Sequence, residues 1–263
     1  MRGGENLEVE PTVGIEPTTG GLQNRCSTAE LCWPFLRGAR LNDTFHSANG
    51  FPGWRGVRGS ASVRRMPELF FATSNAHKTA EVRAMLLGFD ITDLKAHPGM
   101  VLPEETGETF EANAIIKAQG ASAALSPGVW VLADDSGLEV DALNGAPGVR
   151  SARYSGENAT DATNREKLKA ELAKLPAQGA FTGRFRCCMA LVKDGAVLHV
   201  AHGTVEGTLR LQEQGEGGFG YDALFTPEGF ADTFGVLPAE TKNSLSHRAR
   251  ALVSMKAWME ANA

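Results

Sequence analysis

Val129-Trp130-Val131-Leu132-Ala133-Asp134-Asp135-Ser136-Gly137-Leu138 is the stretch on which the fold turns. A run of apolar, strand-forming residues leads straight into two carboxylates, a hydroxyl and a glycine. Such a run reads as a buried strand. Polar groups at the C-terminal end of a strand stand where open α/β sheets bind ligands. Neighbouring side chains in a strand point to opposite faces, so one acid is structural and the other reaches a cleft. Gly137 is read as the point where the backbone turns, since it has no Cβ to hinder it. One of Asp134 and Asp135 then holds a hard cation and prepares a water. The alternative is an Asx turn that closes the strand, with both acids bonded to local amides.

On the N-terminal side, Leu69-Phe70-Phe71-Ala72 predicts a strand. Thr73-Ser74-Asn75-Ala76-His77-Lys78 follows as a loop entering a helix, with Ser74 or Asn75 as its cap. Val82, Met85 and Leu86 supply an apolar stripe and Gly88 a stop. A helix start of this kind offers free amides to an anion, and Lys78 in the first turn suits phosphate. A plain structural cap is the alternative. Further on, Glu104-Glu105-Thr106-Gly107-Glu108 forms an acidic loop before Thr109, the cap of a helix running to about Leu125. Phe110, Ala114, Ala118 and Ala121 give that helix a buried face. Asn113 and Lys117, four residues apart, share another face, which spacing alone reads as solvated.

On the C-terminal side, residues 141–154 are rich in turn formers, and Thr160 or Asp161 starts a helix that ends at Pro176. Phe181 to Val192 and Ala196 to Val205 read as a hairpin turning at Lys193-Asp194-Gly195. His199 and His202 fall on opposite faces of its second strand and so do not share a metal. Gly215-Glu216-Gly217-Gly218-Phe219-Gly220 matches G-x-G-x-x-G in form only, because no helix follows. The next residues, Tyr221 to Phe225, look strand-like. The glycines around Phe219 suggest a loop on which a planar ligand stacks; a bulged hairpin is the alternative. Ser246 is read as the cap of a closing helix. Lys242, His247 and Arg248 precede or enter its first turn, an arrangement that favours a bound anion over a solvated charge cluster.

The chain has 263 residues, 42% hydrophobic and 22% charged, and a formal net charge of −5. That is ordinary globular usage. The acidic balance disfavours a nucleic-acid partner. Four cysteines are too few for a disulfide scaffold and suggest a reduced, cytoplasmic setting. No apolar run is long enough to span a bilayer, which disfavours a membrane partner. Residues 1–65 stand apart: they hold ten of the 30 glycines and lack a periodic pattern. Val13 to Phe35 resembles a peptide that recurs where reading frames run through a tRNA gene. The expectation is that translation naturally starts at Met66 and that 1–65 come from upstream DNA; a disordered extension is the alternative.

Taken together and in order, these motifs resemble the inosine triphosphate pyrophosphatase family, the non-canonical purine nucleoside triphosphate pyrophosphatases. The likeness rests on Ala72 to Asn75 with Lys78, Glu104 to Gly107 with Thr109, Phe110, Asn113 and Lys117, Ala133 to Leu138, Gly148 to Gly156, Gly217 to Asp222, and Lys242 to Arg248. It implies a two-lobed α/β fold built on a long mixed sheet over residues 66–263, with the nucleotide in the cleft between lobes. It also implies Mg²⁺-dependent hydrolysis of ITP, dITP and XTP to the monophosphate and pyrophosphate by a homodimer. In the family pattern Thr73, Ser74, Asn75, Ala76, His77 and Lys78 meet the triphosphate, assisted by Lys117. Glu104 and Asp135 match the metal ligands, Asp135 also the proton acceptor, and Ser136 a substrate contact. Phe219, Gly220, Tyr221 and Asp222 match the base-binding segment, which Lys242, His247 and Arg248 complete. A donor from His247, Arg248 or a backbone amide would select a 6-oxo purine. Ser74 stands where the family usually has glycine, and Gly235-Val236 where it commonly has Ala-Glu. One alternative is a related pyrophosphatase for other modified nucleotides, such as methylated ones; another is a nucleotide sensor without turnover, opposed by the presence of Glu104, Asp135 and Lys78.

Overall fold

The computed structural model describes residues 68–176 and 180–262, so the expectation for residues 1–65 lies outside the described part. Six strands form one mixed sheet: β1 (Leu69–Phe71), β2 (Ile91–Asp93), β3 (Trp130–Val140), β4 (Phe181–Lys193), β5 (Ala196–Leu209) and β6 (Phe225–Pro227). Their order is β2-β1-β3-β4-β5-β6. β2, β1 and β3 run parallel, and the pairs from β3 to β6 are antiparallel. Five α-helices pack around the sheet: α1 (Ala76–Met85), α2 (Phe110–Ala123), α3 (Asp161–Ala173), α4 (Ala239–Leu245) and α5 (His247–Asn262). None of the described helices is long and apolar enough to cross a membrane.

The alternation of β3 assigns its two faces. Trp130 and Leu132 join Val82 and Leu86 of α1 and Leu252, Met255 and Met259 of α5 in one core. Val131 and Ala133 meet the alanine face of α2, Ala114, Ala118 and Ala121, in a second. The small side chains of α2 let the helix lie close to the sheet. Leu138, Val140, Phe185, Val205 and Leu209 build a third core with Leu168 and Leu172 of α3 and with Tyr221, Leu224, Phe225 and Phe234. Each fully buried side chain of this kind contributes ~1.5–3 kcal/mol by leaving water. A mixed sheet with helices packed on its faces is the α/β arrangement expected.

Three expectations are corrected. β3 does not end at its acids: it continues to Val140, with Asp135 opposite Cys188 and Gly137 opposite Arg186 on β4. The antiparallel partner keeps pairing through the polar residues, so no Asx turn forms there. Gly137 therefore makes no turn. A Cβ there would collide with Ser151 Oγ and lie 2.5 Å from the carbonyl oxygen of Gly148, so glycine is required for close approach. Tyr221 to Leu224 form turns rather than a strand, because Gly218 and Gly220 hold left-handed φ values of 73° and 61°. Finally, Lys242 lies inside a short helix, α4, that the sequence reading did not foresee.

Candidate active site

β3 outruns its parallel neighbour. Phe71, the last residue of β1, pairs with Leu132, so Asp134 and Asp135 stand just past the C-terminal end of β1. The helix-covered parallel strands stop there and a cleft opens. Asp134 points toward α1 and α5 and is 1% exposed. Lys78 Nζ lies 3.1 Å from its Oδ2, and Arg248 donates to the same oxygen from Nη2 at 3.0 Å and Nε at 3.3 Å. Burial opposes its charge, but Lys78 and Arg248, with Lys117 behind them, hold its pKa well below the usual carboxylate range. Asp135 points the other way, toward α2. Its Oδ2 accepts from Asn113 Nδ2 at 3.1 Å, and its Oδ1 accepts from the Ser136 amide at 3.1 Å. Burial pushes this carboxyl up; Lys117 opposes the shift, Glu105 adds to it, and the pKa ends above its ordinary value.

The acidic loop closes over Asp135. Lys117 Nζ is 2.8 Å from Glu105 Oε1 and 3.5 Å from Asp135 Oδ1, a cation between two carboxylates. Burial pulls the Lys117 pKa down, but Asp134, Asp135 and Glu105 outweigh it and keep the ammonium charged. Arg153 Nη1 donates to the other oxygen of Glu105 at 3.2 Å. Asn113 Oδ1 accepts from the Gly107 amide at 2.7 Å, so one side chain ties the loop to Asp135. The solvated face read for Asn113 and Lys117 is thus overturned: both are buried because this edge of α2 packs on the loop. Glu105 lines the cleft alongside Asp135, whereas Glu104 is exposed and outside the lining.

Asn75 caps α1, its Oδ1 accepting from the amides of His77 at 2.9 Å and Lys78 at 3.3 Å. Thr73 Oγ1 accepts from the Asn75 amide at 3.2 Å. Ser74, Ala76 and His77 are exposed, and the His77 ring stacks on Phe219 at 5.4 Å.

Phe219 to Asp222 form the facing wall. Asp222 Oδ2 accepts from the Phe219 amide at 2.8 Å and from Lys242 Nζ at 2.6 Å. Tyr221 Oη donates to the Ser151 carbonyl at 2.9 Å. Lys242 Nζ also lies 2.8 Å from Glu81 Oε1 and 4.5 Å above the centre of the Phe219 ring. Arg248 pairs with Glu81 and donates to Ser136 Oγ at 3.0 Å. Burial works against the Glu81 charge, yet Arg248 and Lys242 bring its pKa below the ordinary range. Lys242 and Arg248, which the sequence reading gave to an anion, are paired here with Glu81, Asp134 and Asp222. Nor is His247 a cation. Burial first, then Arg248 and Lys242, push its pKa far down, which leaves a neutral imidazole. It stacks on Phe185 at 4.9 Å, and its buried Nδ1 has no hydrogen-bond partner among the described residues.

The cleft encloses about 130 Å³. Of the residues expected to act, its lining brings together Asn75, Lys78, Asp135, Ser136, Phe219, Gly220, Tyr221, Asp222, Lys242, His247 and Arg248. Thr73, Ser74, Ala76, His77, Lys117 and Glu104 lie outside that lining, with Lys117 directly behind Asp135 and Glu105. The sequence reading missed Glu81, Glu105 and Phe185. Glu81 follows Lys78 by three on a helix, the one signal that both face the same way. Glu105 carried no mark that told it from Glu104.

Residues 69–258 match the Ham1 family. The chain is 46% identical over 187 residues to the dITP/XTP pyrophosphatase of Desulforamulus reducens, covering 70% of this chain and 92% of that protein. It is equally identical over 193 residues to the dITP/XTP pyrophosphatase of Geobacter sulfurreducens, covering 73% of this chain and 96% of the relative. The solved structure of a HAM1 protein from Coxiella burnetii is 38% identical, with a TM-score of 0.66 over 74% of this chain and all of that one. Sequence and fold thus agree over the same residues that build the cleft, and the chain belongs to the Ham1 family.

Proposed function

We propose that this chain hydrolyses the non-canonical purine nucleoside triphosphates ITP, dITP and XTP to the monophosphate and pyrophosphate, clearing them from the nucleotide pool. The dITP/XTP pyrophosphatase activity of its relatives supports this reading. The observation that carries it is Asp135: a buried carboxylate of raised pKa on a cleft wall, with Lys78 and Lys117 nearby and a stacking ring opposite. Residues 66–263 carry the activity, in the cytoplasm and as a homodimer; sedimentation equilibrium would then return twice the mass of the chain.

Mg²⁺ fits this wall. Glu105 and Asp135 present hard oxygen donors, and the ammonium of Lys117 between them marks a place that favours positive charge. Glu104, the residue that the family resemblance points to, is next to Glu105 in the same acidic loop. A bound Mg²⁺ neutralises phosphate charge and acidifies a water. Asp135, within reach of the cleft, accepts the proton of the attacking water. Lys78 and Lys117 stabilise the charge that builds on the departing pyrophosphate. Triphosphate oxygens compete with Asp134 and Glu105 for these ammonium groups.

At 130 Å³ the cleft is smaller than the ~300–1,000 Å³ of ordinary ligand pockets. Nucleotide entry therefore parts the facing walls, and the purine takes a place on the Phe219 ring. Arg248 makes four hydrogen bonds, to Asp134, Glu81 and Ser136, with its five N–H groups. The unpartnered Nδ1 of His247 is the freer group to donate to a 6-oxo oxygen. Adenine would oppose an amino group to that donor, at a cost of ~1–3 kcal/mol. Pyrophosphate release with Mg²⁺ tests both points. We expect kcat/KM for ITP and XTP to exceed that for ATP by roughly 5- to 150-fold, the factor this energy implies. Equal rates would overturn the base selection, and no release from any nucleotide would overturn the hydrolase.

A further inference from the structure

We propose that Glu111, Cys188 and His202 bind a borderline transition-metal ion such as Zn²⁺, at a site distinct from the oxygen-donor wall of Glu105 and Asp135. Their donor atoms, a carboxylate oxygen, a thiol sulfur and an imidazole nitrogen, lie within 4.8 Å of one another. His202 Nε2 is 3.4 Å from Glu111 Oε2. The sheet creates the grouping. Cys188 on β4 and His202 on β5 are register partners and so share one face. Glu111, in the first turn of α2, reaches the same face. Cys187 points to the opposite side, into the core beneath α5, and is no donor here.

Access and chemistry both suit an ion. The three residues line a cavity of about 640 Å³, outside the cleft. Cys188 lies at its floor, 1% exposed, while the side chains of His202 and Glu111 are 55% and 51% exposed at its edge. Zn²⁺ takes Cys sulfur at ~2.3 Å and His nitrogen and carboxylate oxygen at ~2.0–2.2 Å, in a tetrahedron. Those lengths place donors roughly 3.3–3.7 Å apart, so the trio must draw in by about an ångström. Rotation of the two exposed side chains supplies that movement without disturbing the core. The thiol proton passes to solvent as the thiolate binds, and water takes the fourth position. A thiolate and an imidazole do not suit Mg²⁺, so ligand softness keeps the two ions apart. The site stands whether or not the proposed hydrolysis does.

Titration of the full-length, metal-free chain with Co²⁺, a coloured stand-in for Zn²⁺, tests the site. We expect one Co²⁺ to bind with a thiolate-to-metal charge-transfer band in the near ultraviolet, and Zn²⁺ to abolish the band by displacement. Cys188→Ser removes the band, whereas Cys26→Ser and Cys32→Ser keep it. His202→Asn, a change at the exposed rim that leaves the core intact, weakens Co²⁺ binding at least about tenfold. Absence of the band in the native chain, its survival in Cys188→Ser, or unchanged affinity in His202→Asn would each overturn the site. Co²⁺ held by carboxylates alone gives no thiolate band, so occupancy of the Glu105–Asp135 wall cannot imitate the result.

Discussion

Asp134 and Asp135 are consecutive in β3, face opposite sides of the sheet and have their pKa values shifted in opposite directions. Asp134 is enclosed by Lys78 and Arg248; Asp135 meets one amide side chain, one amide nitrogen and an ammonium shared with Glu105. The first is a structural anchor for two cations; the second stands at the edge of the cleft, where the proposed function makes it the base. Their separation is a consequence of strand geometry, and it makes the two replaceable with opposite effects.

Asp134→Asn leaves buried Arg248 and partly buried Lys78 facing a neutral amide. Removing one partner of a buried pair costs ~3–5 kcal/mol. For a domain of this size the thermal midpoint falls by roughly 6–20 °C. Calorimetry at neutral pH measures it, and a shift under about 2 °C would show that the pair contributes little.

The effect of pH carries a definite sign. Asp134 and Glu81 have folded pKa values below their unfolded ones, so their contribution is complete above the ordinary carboxylate range and is lost as pH falls through the folded values. Asp135 and Asp222 are raised, so the cost of their charge is fully present at neutral pH and disappears on acidification. We therefore expect the gap in urea midpoint between the native chain and Asp134→Asn to be constant from neutral pH down to about pH 4 and to shrink below it. A gap that persists undiminished at pH 2 would contradict the shift assigned to Asp134.

Asp135→Asn is predicted to lower kcat at least ~100-fold because it removes the proton acceptor, while KM at saturating Mg²⁺ changes far less because Lys78 and Lys117 stay in place. Its thermal midpoint should equal or exceed that of the native chain, because a charge that burial disfavours is gone. Steady-state pyrophosphate release and calorimetry on the same preparation check both halves. Near-normal turnover would take Asp135 out of the chemistry.

Glu104 and Glu105 are separated by a Mg²⁺ titration of activity. Because Glu105 lines the cleft and Glu104 is exposed, Glu105→Gln should raise the half-saturating Mg²⁺ concentration about tenfold and Glu104→Gln much less. The reverse order would favour the assignment drawn from the family resemblance.

Local patterns were enough to define most of the elements, though not β2 or α4. The apolar runs Leu69–Phe71 and Trp130–Ala133, the caps Asn75, Thr109 and Thr160, and the turn at Asp194-Gly195 all stand where short-range reasoning puts them. The turn needs two positive φ values, and the pair supplies 51° and 78°. Short-range rules failed where a distant segment altered the local choice. Gly137 looked like a turn until β4 paired past it and the Gly148–Ser151 segment pressed against it. Tyr221 to Leu224 looked like a strand until two left-handed glycines bent it.

By itself, the sequence determined β1, β3, the β4–β5 hairpin and the helices α1, α2, α3 and α5, together with the opposite facing of the two acids and the family, because periodicity, capping and motif order are properties of neighbouring residues; it did not show β2 or α4. Only the tertiary structure decided which charges oppose one another. Arg248 and Asp134 are 114 residues apart and Arg248 and Glu81 167, yet they meet in one buried network. The same contacts show that Glu105 rather than Glu104 lines the cleft, that Lys242 and Arg248 are already paired, and that His247 is neutral. Protonation and pairing depend on distance and burial across the fold, and neither is encoded in spacing along the chain.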